Sequence, residues 1–435
     1  MSYHVKLSTA PKILKIKSNP NRYGKIKTVT FYEKKDNMYA LPFFFGRKLM
    51  RVKPLKMCEE KNNVTFMGKL RIEQISVVKE AIYFMNASNA VLLALKPGFG
   101  KTVISVCLTS IFLKCKVLVL VKAKTLVSQW FNSYTKFSNS KVSIVPSASC
   151  SNKIKREFDE IINMCDVIVC MYKRVDRIPL EALKAVDILI VDEADQFCSV
   201  DKVHSLLISQ PSYVICCTAT PNRSDNMCQM LRCMCGYNEV SRNEADPNLM
   251  ITMIQTPYEP EIEYDRNGDI MWSTMVSSLL MNEERNNMIA NLIIECVTVN
   301  NDKVLVLTDR KFNPEILKNA ILEKNDIITV SEMYGSMDTY HNADVLIATK
   351  SKLGRGFDEQ TFCPDYDGIR LNVLIIAISV KSSTSLTQFI GRIQRSSNPK
   401  VYFLVDDHSI HRKHWRLCKE YYEQREARIY EIETQ

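Results

Sequence analysis

The segment that most limits what this chain can fold into is Leu95-Lys96-Pro97-Gly98-Phe99-Gly100-Lys101-Thr102, which follows the apolar run Val91 to Leu95 and precedes residues of helical character. An apolar strand, a glycine-bearing turn and Lys-Thr at a helix start make a cradle for nucleotide phosphates. Small residues let backbone N–H groups turn inward, and the helix N-terminus adds partial positive charge. In such a cradle Pro97, Gly98, Phe99 and Gly100 shape the loop, Lys101 reaches the β- and γ-phosphates of ATP, and Thr102 holds Mg²⁺. The strict pattern has Gly or Ala where Leu95 stands, so the octapeptide alone also fits an ordinary strand, turn and helix with a surface lysine.

A second element narrows the choice. Ninety-one residues after Lys101, the continuous apolar run Ile188-Leu189-Ile190-Val191 leads directly into Asp192-Glu193-Ala194-Asp195. Such a run suits a buried parallel strand, and carboxylates at its carboxyl end face the ligand crevice of an open α/β sheet. Asp192 is then a Mg²⁺ ligand, commonly through water, and Glu193 orients or deprotonates the attacking water. A solvated acidic loop is the plainer reading of the four residues by themselves.

With 435 residues the chain exceeds one ordinary core, so two or three domains are expected. No apolar run approaches the roughly 20 residues of a membrane span. The first thirty residues lack the apolar core of a secretory signal, so a cytoplasmic location is expected. Of the 15 cysteines, several lie within apolar strand-like runs, as do Cys170, Cys216 and Cys217. There a thiol behaves as a small hydrophobe. Cys228, Cys233 and Cys235 have irregular spacing and no fourth zinc ligand nearby. His408, His411 and His414 recur every third residue, which reads best as a solvated helix.

The net charge of +10 is uneven. Residues 1 to 69 hold 16 Lys or Arg and 4 Asp or Glu, or +12, which leaves −2 for the remainder. Interleaved with Tyr23, Phe31, Tyr32, Tyr39 and Phe43 to Phe45, those basic residues suit a surface that pairs with phosphates and stacks on bases. The same aromatics also suit the core of a small β-rich domain. Alternation over Lys25 to Tyr32 and Met38 to Phe45, broken by Asp36-Asn37, predicts a hairpin there.

From Leu70 onward strands and helices alternate. Apolar runs at Val91 to Leu95, Val117 to Val121, Val167 to Cys170, Ile188 to Val191 and Tyr213 to Cys217 predict βα units and a parallel sheet. Residues 238 to 275, with Pro247, Pro257 and Pro260, read as the joint between domains. Alternation resumes at Val304 to Leu307, Ile327 to Val330, Val345 to Ala348, Val373 to Ile378 and Val401 to Val405. The expected architecture is α/β, with two parallel-sheet domains after a small basic β-rich one. The expected boundaries are 1–67 (accessory), 68–237 (ATP-binding), 238–275 (linker) and 276–435 (second sheet).

Two further motifs complete the pattern. Thr218-Ala219-Thr220-Pro221 ends the strand after the acidic box, where hydroxyls can bond to the acidic loop and relay the state of the nucleotide, with Asp195, Thr218, Ala219 and Thr220 as the coupling residues. Gln388-Phe389-Ile390-Gly391-Arg392-Ile393-Gln394-Arg395 places Arg392 and Arg395 at i and i+3 on one helical face. Planar guanidinium groups suit the charge that builds on a transferring phosphoryl group, and two sheets in series imply a cleft they could reach across.

Taken in order, these motifs resemble those of superfamily 2 helicases over residues 70 to about 397, which implies two tandem RecA-like domains. The resemblance implies that Gln74 reads adenine, that Lys122, Lys124 and Val167 to Lys173 touch nucleic acid, and that Gln388 helps hold the nucleotide. It also implies that Ala348-Thr349-Lys350 and Gly354-Arg355-Gly356-Phe357-Asp358 touch strand and nucleotide, with Thr349, Lys350 and Arg355 on the strand and Gly356 and Asp358 on ATP.

The wording of Leu70-Arg71 to Gln74 and of the phosphate loop is similar to the XPB branch. It is closer still to helicases of large cytoplasmic DNA viruses, the poxvirus transcript-release helicase among them. Met38-Tyr39-Ala40-Leu41-Pro42 before Phe43 to Gly46 resembles the amino-terminal signature of that viral group. Asp195 stands where the XPB branch has histidine, which puts the ATP coupling at that position in question. The other motifs are not worded like those of the RNA-unwinding DEAD group. What the resemblance implies is an ATP- and Mg²⁺-using motor moving 3′ to 5′ on DNA, in contact with RNA polymerase or transcription factors. An RNA helicase and a catalytically silent nucleic-acid scaffold are the competing readings.

Overall fold

The computed structural model describes residues 3–5, 11–20, 24–35, 38–54, 64–111, 116–146, 152–223, 225–242, 245–353 and 357–434. It divides into two compact units, Met1–Arg242 and Asn243–Gln435. Each is built on a seven-stranded sheet whose strands all run parallel.

In the first sheet the spatial order is Glu239–Ser241, Ala90–Ala94, Tyr213–Thr218, Val186–Asp192, Lys116–Val121, Val167–Met171 and Val142–Ile144. The central strands are apolar throughout because helices cover both faces. Val91 and Leu93 join one core with Val77, Ile104, Trp130 and Tyr134. Ala90 and Leu92 face the other core, with Leu183, Leu207 and Met230. The helix Ile72–Ser88 stops at Asn89, which takes left-handed backbone (φ 61°), a conformation asparagine tolerates well, and the next residue opens a strand.

The amino-terminal segment does not stand apart as the separate domain expected over 1–67. Its strands Lys15–Lys17 and Thr28–Thr30 pair antiparallel. Met38–Leu41 pairs with both Tyr3–Val5 and Glu33–Lys35. Ile16, Val29, Phe31, Ala40 and Phe43 then enter the same core as the first sheet. Phe44 lies so close to Gly236 that a Cβ there would come within 2.5 Å of its ring. The predicted hairpin survives only in part: the strand before Asp36-Asn37 is Glu33–Lys35, and Phe43–Leu49 is helical. Asp36 and Asn37 lie outside the described residues, as do Tyr23 and the polar stretch from Cys58 to Asn63.

Residues 238–275 are not the linker expected of them. Glu239–Ser241 extends the first sheet, and Met250–Gln255 lies inside the second. The second sheet is ordered Val330–Met333, Val345–Thr349, Val304–Thr308, Val373–Ile376, Lys400–Val405, Met250–Gln255 and Arg428–Glu433. The strand expected at Ile327 to Val330 instead begins at Val330. Ile327 itself is exposed.

Asp406, directly after the strand Lys400–Val405, forms an ion pair with Arg285 of the helix Glu283–Thr298 that is almost wholly buried (Nε to Oδ1 2.6 Å). His411 packs against it, buried, so its helix is not the solvated one predicted. Burial holds its imidazole down at about 4. Among the described residues no helix is long and apolar enough to cross a membrane, and no three His, Cys, Asp or Glu side chains gather in a metal-holding group.

Candidate active site

The loop Leu95–Gly100 joins the buried strand Ala90–Ala94 to the helix Lys101–Ile111, so Lys101 and Thr102 are the first two helical residues. Lys101 Nζ donates to Leu95 O at 2.8 Å and to Lys96 O at 3.4 Å, which folds its ammonium over the loop. Gly100 has φ 97°, and a Cβ on it would lie 2.3 Å from Gln74 Nε2. Glycine there is therefore fixed twice, by backbone hand and by space.

Gln74, expected on the adenine, is buried with both ends of its carboxamide engaged. Nε2 donates to Phe99 O at 2.7 Å, and Oε1 accepts from the backbone N–H of Arg71 at 2.9 Å. The Arg71 guanidinium also donates to Phe99 O and, at 3.3 Å, to Gly98 O. The start of the helix Ile72–Ser88 is thus pinned to the phosphate loop.

Asp192 ends the strand Val186–Asp192 and is buried. Its Oδ2 accepts from the Trp130 indole at 2.7 Å and its Oδ1 from the Glu193 N–H at 3.0 Å. Burial pushes its carboxyl up, against the pull of Trp130 and the charge of Lys101. Glu193 is held in left-handed backbone (φ 52°), which costs a non-glycine residue about 1–2 kcal/mol and marks a constrained corner.

Asp195 Oδ1 accepts from the Thr218 hydroxyl at 2.7 Å. That hydroxyl oxygen accepts from Thr220 N at 3.0 Å, and Thr218 O accepts from Leu95 N at 3.1 Å. One bonded path therefore runs from the acidic box through Thr218 to the head of the phosphate loop. Lys122, Lys124 and Lys173 are exposed.

In the second unit, Arg392 lies in the helix Ser383–Ile393, with Nε on Leu353 O at 3.2 Å and NH1 on Phe357 O at 2.6 Å. Arg395 falls beyond that helix, so the two do not share one helical face as expected. Its guanidinium pairs with Asp358 at 3.1 Å. Burial raises the Asp358 carboxyl, and Arg395 and Arg370 outweigh it, leaving it below the ordinary range. The neighbouring Glu359, buried and facing Arg370, is pushed up to about 7.

Thr349 is buried with its hydroxyl 3.0 Å from that of Ser351, and Lys350 pairs with Asp309 at 2.9 Å. Gln388 is half-buried on the same helix as Arg392. Gly354, Arg355 and Gly356 lie outside the described residues. Sequence reasoning gave no role to Trp130, Arg71 or Arg370. Arg71 stands within the wording of Leu70 to Gln74, but nothing in that wording marks its contact with the phosphate loop.

The family described as Type III restriction enzyme, res subunit, matches residues 67–223, the stretch that holds the phosphate loop, the acidic box and Thr218. The candidate helicase 161L of Invertebrate iridescent virus 6 is 27% identical over 93% of this chain and 91% of its own. The candidate helicase 055L of Frog virus 3 is also 27% identical, over 86% of this chain and 82% of its own. Among solved structures, a variant of S. cerevisiae Dbp5 bound to RNA and ADP–BeF3 shares the fold, at 12% identity and a TM-score of 0.55 over 82% of this chain and 89% of that one. With two parallel RecA-like sheets, this motif order and these relatives, the chain belongs to the superfamily 2 helicases and is a nucleic-acid-dependent ATPase.

Proposed function

We propose that the enzyme is a DNA-dependent motor moving 3′ to 5′, which strips or unwinds strands and acts in transcript release during viral transcription. The observation that carries the motor reading is the bonded path from Asp195 through Thr218 to Leu95, because it links the hydrolytic carboxylates to the phosphate loop. The choice of DNA is supported by the loop wording and by the DNA-virus relatives. A cytoplasmic setting and contact with RNA polymerase or transcription factors belong to the same reading.

ATP binds with its phosphates on the loop Pro97–Gly100 and its base near Gln74. Lys101, now on Leu95 O, swings its side chain so that the ammonium donates to the β- and γ-phosphates. The residues present suit Mg²⁺, since a carboxylate with only neutral donors (Asp192) and a hydroxyl at a helix start (Thr102) are the hard oxygen ligands that ion takes. Bound there, it would neutralise phosphate charge. Glu193 orients the attacking water, and Arg392 and Arg395 act on the γ-phosphate, with Gly356, Asp358 and Gln388 supporting the nucleotide. Lys122, Lys124, Thr349, Lys350 and Arg355 hold the strand, while Asp195, Thr218, Ala219 and Thr220 couple hydrolysis to its movement.

The test is ATP hydrolysis with no nucleic acid, single-stranded DNA, duplex DNA or RNA at matched salt. Stimulation by DNA, lost in Lys101→Ala and in Glu193→Gln with DNA binding kept in the latter, is expected. Stimulation by RNA alone would move the enzyme to RNA remodelling. Unaltered turnover in both variants would overturn the site.

A further inference from the structure

Arg223 directly follows Thr218-Ala219-Thr220-Pro221-Asn222 and has no role in the reading above. Each of its three guanidinium nitrogens donates a hydrogen bond. Nε and NH2 clasp Asp225 at 2.9 and 2.5 Å, and NH1 donates to the backbone carbonyl of Asp195 at 2.8 Å. Asp195 is the residue whose side chain Thr218 holds. The acidic box is therefore gripped from two sides, by a hydroxyl on its carboxylate and a guanidinium on its backbone. Asp225 is itself placed from outside the sheet: its carbonyl accepts from the N–H of Asn19 at 2.9 Å. A cavity of about 550 Å³, lined by Ser18, Asn19, Lys27, Ser199, Arg223 and Asp225, opens beside this junction.

We propose that Arg223 is a positioning residue of the ATPase centre, set by Asp225 and through it by the amino-terminal segment, so that the seating of that segment governs the rate of hydrolysis. The inference rests on the site assignment made above. Arg223 touches no phosphate in this scheme. It fixes the backbone that carries Glu193 and Asp195, and a misplacement of about 1 Å at such a point is enough to slow a reaction many-fold. Only a planar fork can hold a carboxylate with two nitrogens and a carbonyl with a third, so lysine is a poor replacement.

The test uses the full chain, ATP, and whichever nucleic acid stimulates it most, with thermal unfolding of each variant alongside. Arg223→Ala is expected to lower kcat about 10-fold while leaving KM for ATP within about twofold, because ground-state binding is untouched. Arg223→Lys should recover only a minor part of that loss. Asn19→Pro removes the donor to Asp225 and leaves the sheet intact, and should lower kcat about threefold, on the same reasoning. Joined to Arg223→Ala it should add nothing, since both act through one path. Wild-type kcat in Asn19→Pro, losses that multiply in the double variant, full rescue by lysine, or a change carried by KM alone would each overturn the proposal. Lys101→Ala is the control. If it is inactive while Arg223→Ala is normal, only this inference fails, whereas normal turnover in Lys101→Ala would sink the site itself.

Discussion

Asp192 and Asp406 stand in equivalent places, each at the carboxyl end of a buried parallel strand, one in each sheet, yet their surroundings are opposite. Asp192 meets neutral donors, the Trp130 indole and the N–H of Glu193. Asp406 meets the Arg285 guanidinium at 2.6 and 3.0 Å, with the Thr256 hydroxyl at 2.9 Å. Neutral donors orient a carboxylate and leave its charge to act on a ligand, while a buried guanidinium cancels it. Strand ends are where open α/β sheets bind ligands, but the partners decide which strand end is a site.

Four experiments press on that contrast. Asp192→Asn should lower kcat at least about 100-fold, the scale of losing one preorganised charge-stabilising group. It should also leave the fold as stable or slightly more so, because burial already disfavours the charged form. Paired ATPase assays and calorimetry would show both. Asp406→Asn should do the reverse. It leaves Arg285 buried without its counter-charge and should cost about 3–5 kcal/mol in denaturant unfolding, with turnover per folded molecule little changed. An active Asp192→Asn, or a fully stable Asp406→Asn, would break the comparison.

Thr218→Val should cost about 1–3 kcal/mol by stripping Asp195 of its hydroxyl, and should reduce nucleic-acid stimulation more than basal hydrolysis. The smallest effect concerns His204, whose ring bridges Glu33 at 2.9 Å and Asp176 at 2.7 Å. Partial burial pulls its pKa down, but the two carboxylates outweigh it and raise it. The bridge is therefore at full strength below pH about 6.5 and weakens as pH rises through the raised value. The loss should stay below about 1 kcal/mol, as for exposed pairs. Protection of the amides in residues 33–35 and 38–41, measured as exchange relative to its intrinsic rate at each pH, should fall with pH in this window, and His204→Asn should abolish that fall.

The buried strands were legible because a strand covered on both faces must be apolar along its length, as at Val117 to Val121 and Val345 to Ala348. Met250–Gln255 was hidden among prolines and acids, and Arg428–Glu433, an edge strand exposed along most of its length, carries no apolar run at all. Residues of the phosphate loop and acidic box declared themselves by spacing. Trp130 did not, and neither did the bond from Arg223 to Asp195, because these contacts join residues 62 and 28 positions apart along the chain. The end of the helix before Arg395 was also illegible, since helical period continues past Ile393 while the backbone does not.

The amino-terminal segment shares one core with Met227, Met230 and Cys235, and Phe44 rests on Gly236. A chain made from its amino end thus presents Phe31, Phe43 and Phe44 nearly two hundred residues before the surface that covers them exists. Glu239–Ser241, on the outer side of Ala90–Ala94, is the last strand of that sheet to be made. Completion of the first unit during synthesis waits on the final tenth of its sequence. Until then its aromatic residues are open to chaperones or to neighbouring chains, so the rate at which residues 100 to 240 are delivered becomes a determinant of yield.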